Sequence, residues 1–465
     1  MKQNKHEYII KGPILGSLLK LALPLMVGQL IQTLYNLVDT LWVGKLGSEA
    51  VAAVSISFPI VFLMISLAAG LTIAGTALIA QNKGAGNNDK VDRILGQLFG
   101  FVGMLSIILA LIGFVFSKQF IVWMGAQPQI IDDASGYLRI IFSGIPFMFI
   151  FFIFSASLRG IGDTMTPMLM TLFSATINVI LDPLLIFGIG FFPKMGVQGA
   201  ALATIISRAI AALYGLAILI SGKKNLHLKF RYLKPNIKII KKVVIIGIPS
   251  SVQQSMLSMA QILMTSIVAN FGTTTLAAYG IGNRIVSIAS MLAMGISTAT
   301  TTMVGQNIGA GEKDRAERIS KVSMGLTFSL LTFLGIVIFI VPEQIVGVFN
   351  KEAEVLLYGS SYMRITALFL GTMGVRMVNN GTLRGAGKTI ATMIISIMAF
   401  CVLRIPLSYI FAYFFNLNQT GIWWGIAVSD GLSAFISIAW LKLSNWSKNI
   451  LVEKNESNKD HIDIT

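Results

Sequence analysis

Asp39 and Asp182 stand inside apolar runs, about 15–43 and 167–190, that are long enough to lie in hydrocarbon. A carboxylate at that depth is costly and is retained when something useful neutralises it. Asn178 sits one helical turn before Asp182 and on the same face. Counting ~1.5 Å per residue from the chain ends of the surrounding runs puts Asp39 about 4 residues, or ~6 Å, inside its helix end. The same counting brings Tyr137 and Thr204 to a comparable level. Two carboxylates in one low-dielectric layer can bind and release a proton. The same oxygens with Asn178, Thr204 and backbone carbonyls could instead hold Na⁺, and the sequence leaves the two open. Asp430, the third aspartate well inside an apolar run, reads as an ion pair, with Arg139, Arg208 and Arg404 as possible partners for such charges. Pro24 interrupts the hydrogen-bond ladder of the first run about 15 residues below Asp39 and is a candidate hinge.

The elements that position these residues follow from composition. Of the 465 residues, 55% are hydrophobic and only 12% charged, and the mean hydropathy is +0.77. Soluble domains carry roughly 25% charged residues, so this is an all-α polytopic membrane protein. The formal charge of +16 does not indicate a nucleic-acid binder, because the basic residues lie in the connections between apolar runs and form no single aromatic-laced face. Cys401 is the only cysteine, which excludes an intramolecular disulfide. His6, His227 and His461 lie in polar segments, so no histidine metal site or proton relay lies in the membrane. The first apolar run continues into a spanning pattern and is not a cleavable leader.

Twelve runs can each cross ~30 Å of hydrocarbon as a helix. They fall at about 15–43, 52–80, 94–117, 134–157, 167–190 and 197–221, then 241–270, 277–305, 317–341, 358–382, 389–414 and 421–443. Lys and Arg crowd the tails and the connections after even-numbered runs, whereas the opposite connections have only Lys45, Lys118, Lys194 and Lys351. Both termini are therefore expected to be cytoplasmic. An internal repeat organises the set. Gln81-Asn82-Lys83-Gly84-Ala85-Gly86 returns 225 residues later as Gln306-Asn307-Ile308-Gly309-Ala310-Gly311, and Leu158-Arg159-Gly160-Ile161-Gly162 as Leu383-Arg384-Gly385-Ala386-Gly387. Pro24, Gln29 and Tyr137 return as Pro249, Gln254 and Tyr362. An even number of helices separates the copies, so two six-helix bundles share one topology around an axis along the membrane normal. The expected organisation is a lobe at 1–221, a basic cytoplasmic linker at 222–242, a second lobe at 243–445 and a polar tail at 446–465. Two such bundles opening alternately are the architecture of a transporter, with binding at the repeat boundary.

The repeat does not copy the carboxylates. Asp39, Asn178 and Asp182 correspond to Met264, Leu403 and Leu407, which speaks against a purely architectural role. Gly160-Ile161-Gly162-Asp163 matches a membrane aspartyl protease pattern, but Asp163 lies in a short connection and its repeat mate is Lys388. The Gly-rich segments lack the GK[ST] of a phosphate loop and read as tight turns. No enzyme chemistry, cofactor or ATP motif emerges, so transport should be secondary. The 22 Met and 29 Phe include residues suited to line a cavity for varied apolar ligands.

Taken together, Pro24 to Gln32, Asn36-Leu37-Val38-Asp39-Thr40 with Gly44, the paired Gln-Asn-x-Gly-Ala-Gly and Leu-Arg-Gly-x-Gly turns, and Asn178-Val179-Ile180-Leu181-Asp182-Pro183 resemble the multidrug and toxic compound extrusion family over nearly the whole chain. The resemblance implies two six-helix lobes forming a V around a central cavity, and export of cationic amphipathic compounds driven by H⁺ or Na⁺. It is greatest to the DinF-like branch, which implies a first-lobe coupling site at Asp39, Tyr137, Asn178, Asp182 and Thr204, with Na⁺ as the alternative ion. The NorM-like branch would need acidic residues in the seventh and tenth helices, where this chain has Gln253, Gln254, Gln261, Arg376 and Asn379. The expected partners are small organic cations and membrane lipids, with no nucleic acid, and the expected state is a monomer in the cytoplasmic membrane. The rival is a lipid or polysaccharide flippase of the same wider superfamily, using Arg139, Arg208, Arg364 and Arg376.

Overall fold

In a computed structural model, which describes residues 5–447 and Leu451, the chain is helical with no strand among the described residues. That is what a waterless medium demands, since a helix satisfies its backbone polar groups within one segment. The first half holds α1 (Ile14–Gly44), α2 (Ser48–Gly84), α3 (Asn88–Trp123), α4 (Ile131–Gly160), α5 (Met165–Phe187) and α6 (Gly196–Ile220). The second half holds α7 (Ile237–Ala269), α8 (Thr273–Gly309), α9 (Lys313–Ile340), α10 (Ala353–Ala367 then Leu370–Gly385), α11 (Thr389–Phe414) and α12 (Asn418–Leu443). Short helices at Lys5–Lys11 and Pro342–Phe349 flank them, and a 3₁₀ turn, Phe230–Leu233, lies in the linker. Most of the polar tail, including Lys448, Lys454, Lys459 and His461, lies outside the described residues.

Among the described residues eleven helices are long and apolar enough to cross a membrane. The tenth expected span, 358–382, differs: it is two helices joined at Leu368 and Phe369. No proline marks the break, so no local signal announced it. α9 crosses close by, with Gly335 against the carbonyl oxygen of Ala367 and Gly371 against Thr332 and Phe328. α11 is also irregular, with π-helical stretches at Met398–Arg404 and Ile410–Phe414. Pro406 lies between them; its missing N–H and bulky ring disfavour regular α-helix.

The two halves are joined by a reciprocal exchange. Leu18, Leu21 and Ala22 of α1 pack into a cluster with Ile296, Ala299 and Met303 of α8. Their repeat mates Val243 and Ile246 of α7 pack with Leu71, Ala74 and Leu78 of α2. Each half's first helix therefore leans on the other half's second. At the face carrying the basic connections, Gln81 Nε2 donates to Gly385 O (2.8 Å) and Gln306 Nε2 to Gly160 O (2.9 Å). Beside them Gly84 touches the Gln306 backbone and Gly309 the Gln81 backbone. The turn glycines Gly86 and Gly311 hold φ of 75° and 86°, as the tight-turn expectation requires. The repeated hexapeptide thus does two jobs: its last glycine turns the chain, and its first lets two helices meet backbone to backbone at the vertex of the V.

A methyl group at position 84 would collide with the Gln306 carbonyl. Gly84→Ala should lower stability by about 1–3 kcal/mol, the usual cost of overpacking. Gly103, whose Cβ would meet nothing within 4 Å, should tolerate alanine or gain up to about 1 kcal/mol in helix propensity. Thermal unfolding of the two variants side by side checks both outcomes.

Candidate functional site

The residues expected to form an ion site come from four helices of the first half. α1 presents Tyr35 and Asp39, α4 presents Tyr137, α5 presents Asn178 and Asp182, and α6 presents Thr204. Each pair on one helix is spaced i, i+4, so both members share a face. Asn178 and Asp182 are fully buried. Asn178 Nδ2 donates to Asp182 Oδ1 at 3.1 Å and approaches Thr204 Oγ1 at 3.5 Å. Thr204 Oγ1 also meets Tyr35 Oη at 3.1 Å. Asp39 is half-buried and within electrostatic reach of Asp182 and Tyr137. A cap of Trp42, Val43, Ile186, Val197 and Tyr137 closes the layer towards the helix ends, with Trp42 edge-on to Phe187 at 6.0 Å.

Three oxygens decide what this layer can do. Asp39 Oδ1, Asp182 Oδ2 and Asn178 Oδ1 are buried without a hydrogen-bond donor among the described residues. Neither aspartate forms an ion pair there, although Arg208 was an available cation. Its Nη2 instead donates to Gln32 Oε1 (2.8 Å), while its guanidinium lies 5.7 Å from the Tyr35 ring centre and 5.4 Å from that of Phe151. Arg139 is exposed. Buried acceptors without donors are costly, and a proton or a hard cation cures that deficit. The donor set of carboxylate, amide and hydroxyl oxygens suits H⁺ or Na⁺ and not a transition metal. Among the described residues no group of three His, Cys, Asp or Glu gathers as a metal site.

The corresponding region of the second half carries opposite chemistry. Asp430 accepts from Arg404 (2.7 Å) and Arg376 (3.1 Å), so it is the ion pair the sequence suggested. Both guanidiniums lie within 5 Å of the Phe400 ring centre, at 4.8 and 4.9 Å. Met264, in the place of Asp39, is buried in hydrophobic core. Tyr362, the mate of Tyr137, is locked edge-on to Trp423 at 4.8 Å. Arg364 is tied to Glu343 at 2.7 Å. Asp163 accepts from the Thr166 backbone N–H (3.2 Å) and hydroxyl (2.9 Å) and meets Lys224 at 3.5 Å, a helix-start role far from protease chemistry.

Sequence reasoning missed Tyr35 and the contact from Arg208 to Gln32. Tyr35 was legible in principle, because it lies four residues before Asp39 and shares its helical face. Pro24 lies inside one continuous helix, as Pro249 does in α7.

Two repeated six-helix bundles with an unpaired carboxylate layer on one side define a membrane transporter of the internally duplicated type. Comparison with known proteins is more specific: the model of the MatE family matches residues 24–184 and 249–410, and the chain belongs to that family. It is 32% identical to the probable multidrug resistance protein YoeA of Bacillus subtilis over 431 residues, covering 91% of this chain and 92% of YoeA. It is 28% identical to the probable multidrug resistance protein NorM of Thermotoga maritima, with 94% of each chain covered. A solved structure described as the outward-facing conformation of a multidrug resistance MATE family transporter of the MOP superfamily superimposes with a TM-score of 0.88. It is 26% identical, over 95% of this chain and 98% of that one.

The two kinds of buried aspartate should respond differently to neutralisation. Asp430→Asn leaves the buried Arg376 and the partly buried Arg404 without their carboxylate and should cost about 3–5 kcal/mol. Asp39→Asn removes a carboxylate that has no cationic partner and should leave stability unchanged or raised. Thermal unfolding in one detergent compares them directly.

Proposed function

We propose that this protein is a secondary multidrug antiporter that exports cationic amphipathic compounds in exchange for H⁺, or alternatively Na⁺. The observation that supports this most is the Asp39 and Asp182 layer, a pair of carboxylates in the membrane with buried oxygens and no cationic partner among the described residues. Multidrug resistance is what the names of YoeA and NorM state of those proteins. By the positive-inside rule the basic face is cytoplasmic, and so are both termini. The protein works as a monomer in the cell membrane, its lobes 1–221 and 243–445 joined by the 222–242 linker.

In this scheme Asp39 and Asp182 take the ion, while Asn178, Thr204 and Tyr137 complete its surroundings. A proton on either carboxyl converts an acceptor into the donor that the layer lacks; Na⁺ would satisfy the same oxygens by coordination. α1 carries the effect onward. One end bears Tyr35 and Asp39, and the other is built into the second half through Leu18, Leu21 and Ala22. Pro24 lies between the two ends, where a missing ladder bond allows bending. A change of partners at Asp39 thus shifts a helix that touches both lobes, and the cavity alternates between ion and drug.

Proteoliposomes given a pH gradient alone and then a Na⁺ gradient alone, with a fluorescent organic cation and a labelled lipid as reporters, test the scheme. One of the two gradients should drive dye transport, and Asp39→Asn and Asp182→Asn should each slow it at least about tenfold. Wild-type rates in either variant would remove that aspartate from coupling, and lipid movement without dye transport would favour a flippase. Pro24→Ala should fold normally and transport more slowly if the hinge is used.

A further inference from the structure

The turn from α2 to α3 and the end of the linker meet at the basic face around a cavity of about 170 Å³. Four cations, Lys90, Arg93, Lys238 and Lys242, line it, and no carboxylate does among the described residues. Arg93 is held by Asp89 at 2.8 Å on the exposed side and lies 5.3 Å from the Tyr232 ring centre. Lys242 Nζ donates to the Leu451 carbonyl at 3.3 Å. Lys90 and Lys238 form no ion pair among the described residues. The start of α7 adds the positive end of a 33-residue helix, its first N–H groups at Lys238 and Ile239 capped by Asn236 at 3.1 and 3.3 Å. Beneath this rim the floor is apolar: Leu78, Ile94 and Leu451 are buried and Ile239 is partly so.

A basic rim over an apolar floor, at the level where α2, α3 and α7 end, has the amphipathic order of a phospholipid headgroup region. Basic pockets between spanning helices on the cytoplasmic side are suited to such headgroups. We propose that this cavity binds the phosphate of an anionic phospholipid, with its glycerol and first acyl carbons on Leu78, Ile94 and Ile239. A free phosphate ion would use the rim and leave the floor unoccupied, so the lipid makes the fuller use of the site. The consequence reaches beyond binding. Lys90 and Arg93 belong to α3 of the first half, Lys238 and Lys242 to the first turns of α7, where the linker runs into the second half, and α2 packs on α7 beside them. One headgroup bridging these pairs draws the halves together at the vertex of the V and favours the arrangement closed at the basic face. This inference concerns a lipid site at the helix ends and is independent of which ion or drug is carried.

Native mass spectrometry of the full-length transporter, released from mixed phosphatidylglycerol and phosphatidylcholine micelles, tests it. The intact protein should retain phosphatidylglycerol preferentially. The Lys90→Gln, Arg93→Gln, Lys238→Gln triple variant should lose that preference at least about tenfold, since each basic residue near an anionic surface contributes appreciably. A control with Lys313→Gln and Lys321→Gln, on the same face outside the cavity, should keep it. Thermal stability should rise with phosphatidylglycerol in wild type and not in the triple variant, with elution on size exclusion checking that both variants fold. Equal loss in variant and control would mean diffuse surface charge and overturn the site. Displacement of the lipid by millimolar inorganic phosphate would reassign the rim to a free anion. A several-fold rise in lipid retention on removing 452–465, which contains Glu453, Glu456, Asp460 and Asp463, would assign the rim to the chain's own acidic segment instead.

Discussion

Hydrocarbon offers no hydrogen bonds, so every polar group placed in it must find its partner within the chain. The backbone meets that constraint by forming helices, and most buried side chains meet it locally or across the joint. Gln81 and Gln306 donate to carbonyls of the opposite half, Arg384 donates to Gln253 at 2.8 Å, and Asp430 has two guanidiniums. Against this background the layer of Asp39, Asn178 and Asp182 stands apart. Other buried atoms also lack a partner, Gln81 Oε1 and Asn379 Oδ1 among them, but only here among the described residues are the oxygens those of carboxylates, two of them in one layer.

Duplication explains where that exception sits. The two halves share a joint, in which Leu18 and Leu21 pair with α8 as Val243 and Ile246 pair with α2. They diverge one layer further along. Tyr137 lies within electrostatic reach of two carboxylates, whereas Tyr362 is packed against Tyr279 and Trp423 in an aromatic cluster. Thr204 meets Asn178, whereas its mate Ser429 accepts from Arg404 Nε at 3.3 Å. The common portion must bear the contacts on which both halves turn, so it tolerates little change. The layer above carries no such obligation and could become an ion site in one half and a neutralised anchor in the other.

α1 is where joint and site share one element. Its basic-face end is core for the second half, and its far end carries Tyr35 and Asp39 of the first half's carboxylate layer. In the proposed scheme a helix with such divided allegiance carries a change at Asp39 to the lobe interface without any intervening chain of contacts. α7 has the same divided packing, but Met264 in place of Asp39 gives it nothing to sense.

The sequence by itself determined the membrane class, the positions of the twelve apolar runs, the repeat and the likeness of its turns. Each rests on local hydropathy or on matching letters at a fixed offset, and neither needs a neighbour. It also brought Asp39, Tyr137, Asn178, Asp182 and Thr204 to one level, because rise per residue is constant along a helix. Only the tertiary structure decided which faces turn together. It added Tyr35 to the layer, sent Arg208 to Gln32 instead of to an aspartate, and broke the tenth span at Leu368 and Phe369 where α9 crosses it. Rotation about a helix axis and the choice of lateral neighbour are set by packing between residues hundreds of positions apart. Depth could therefore be counted from the sequence, but contact could not.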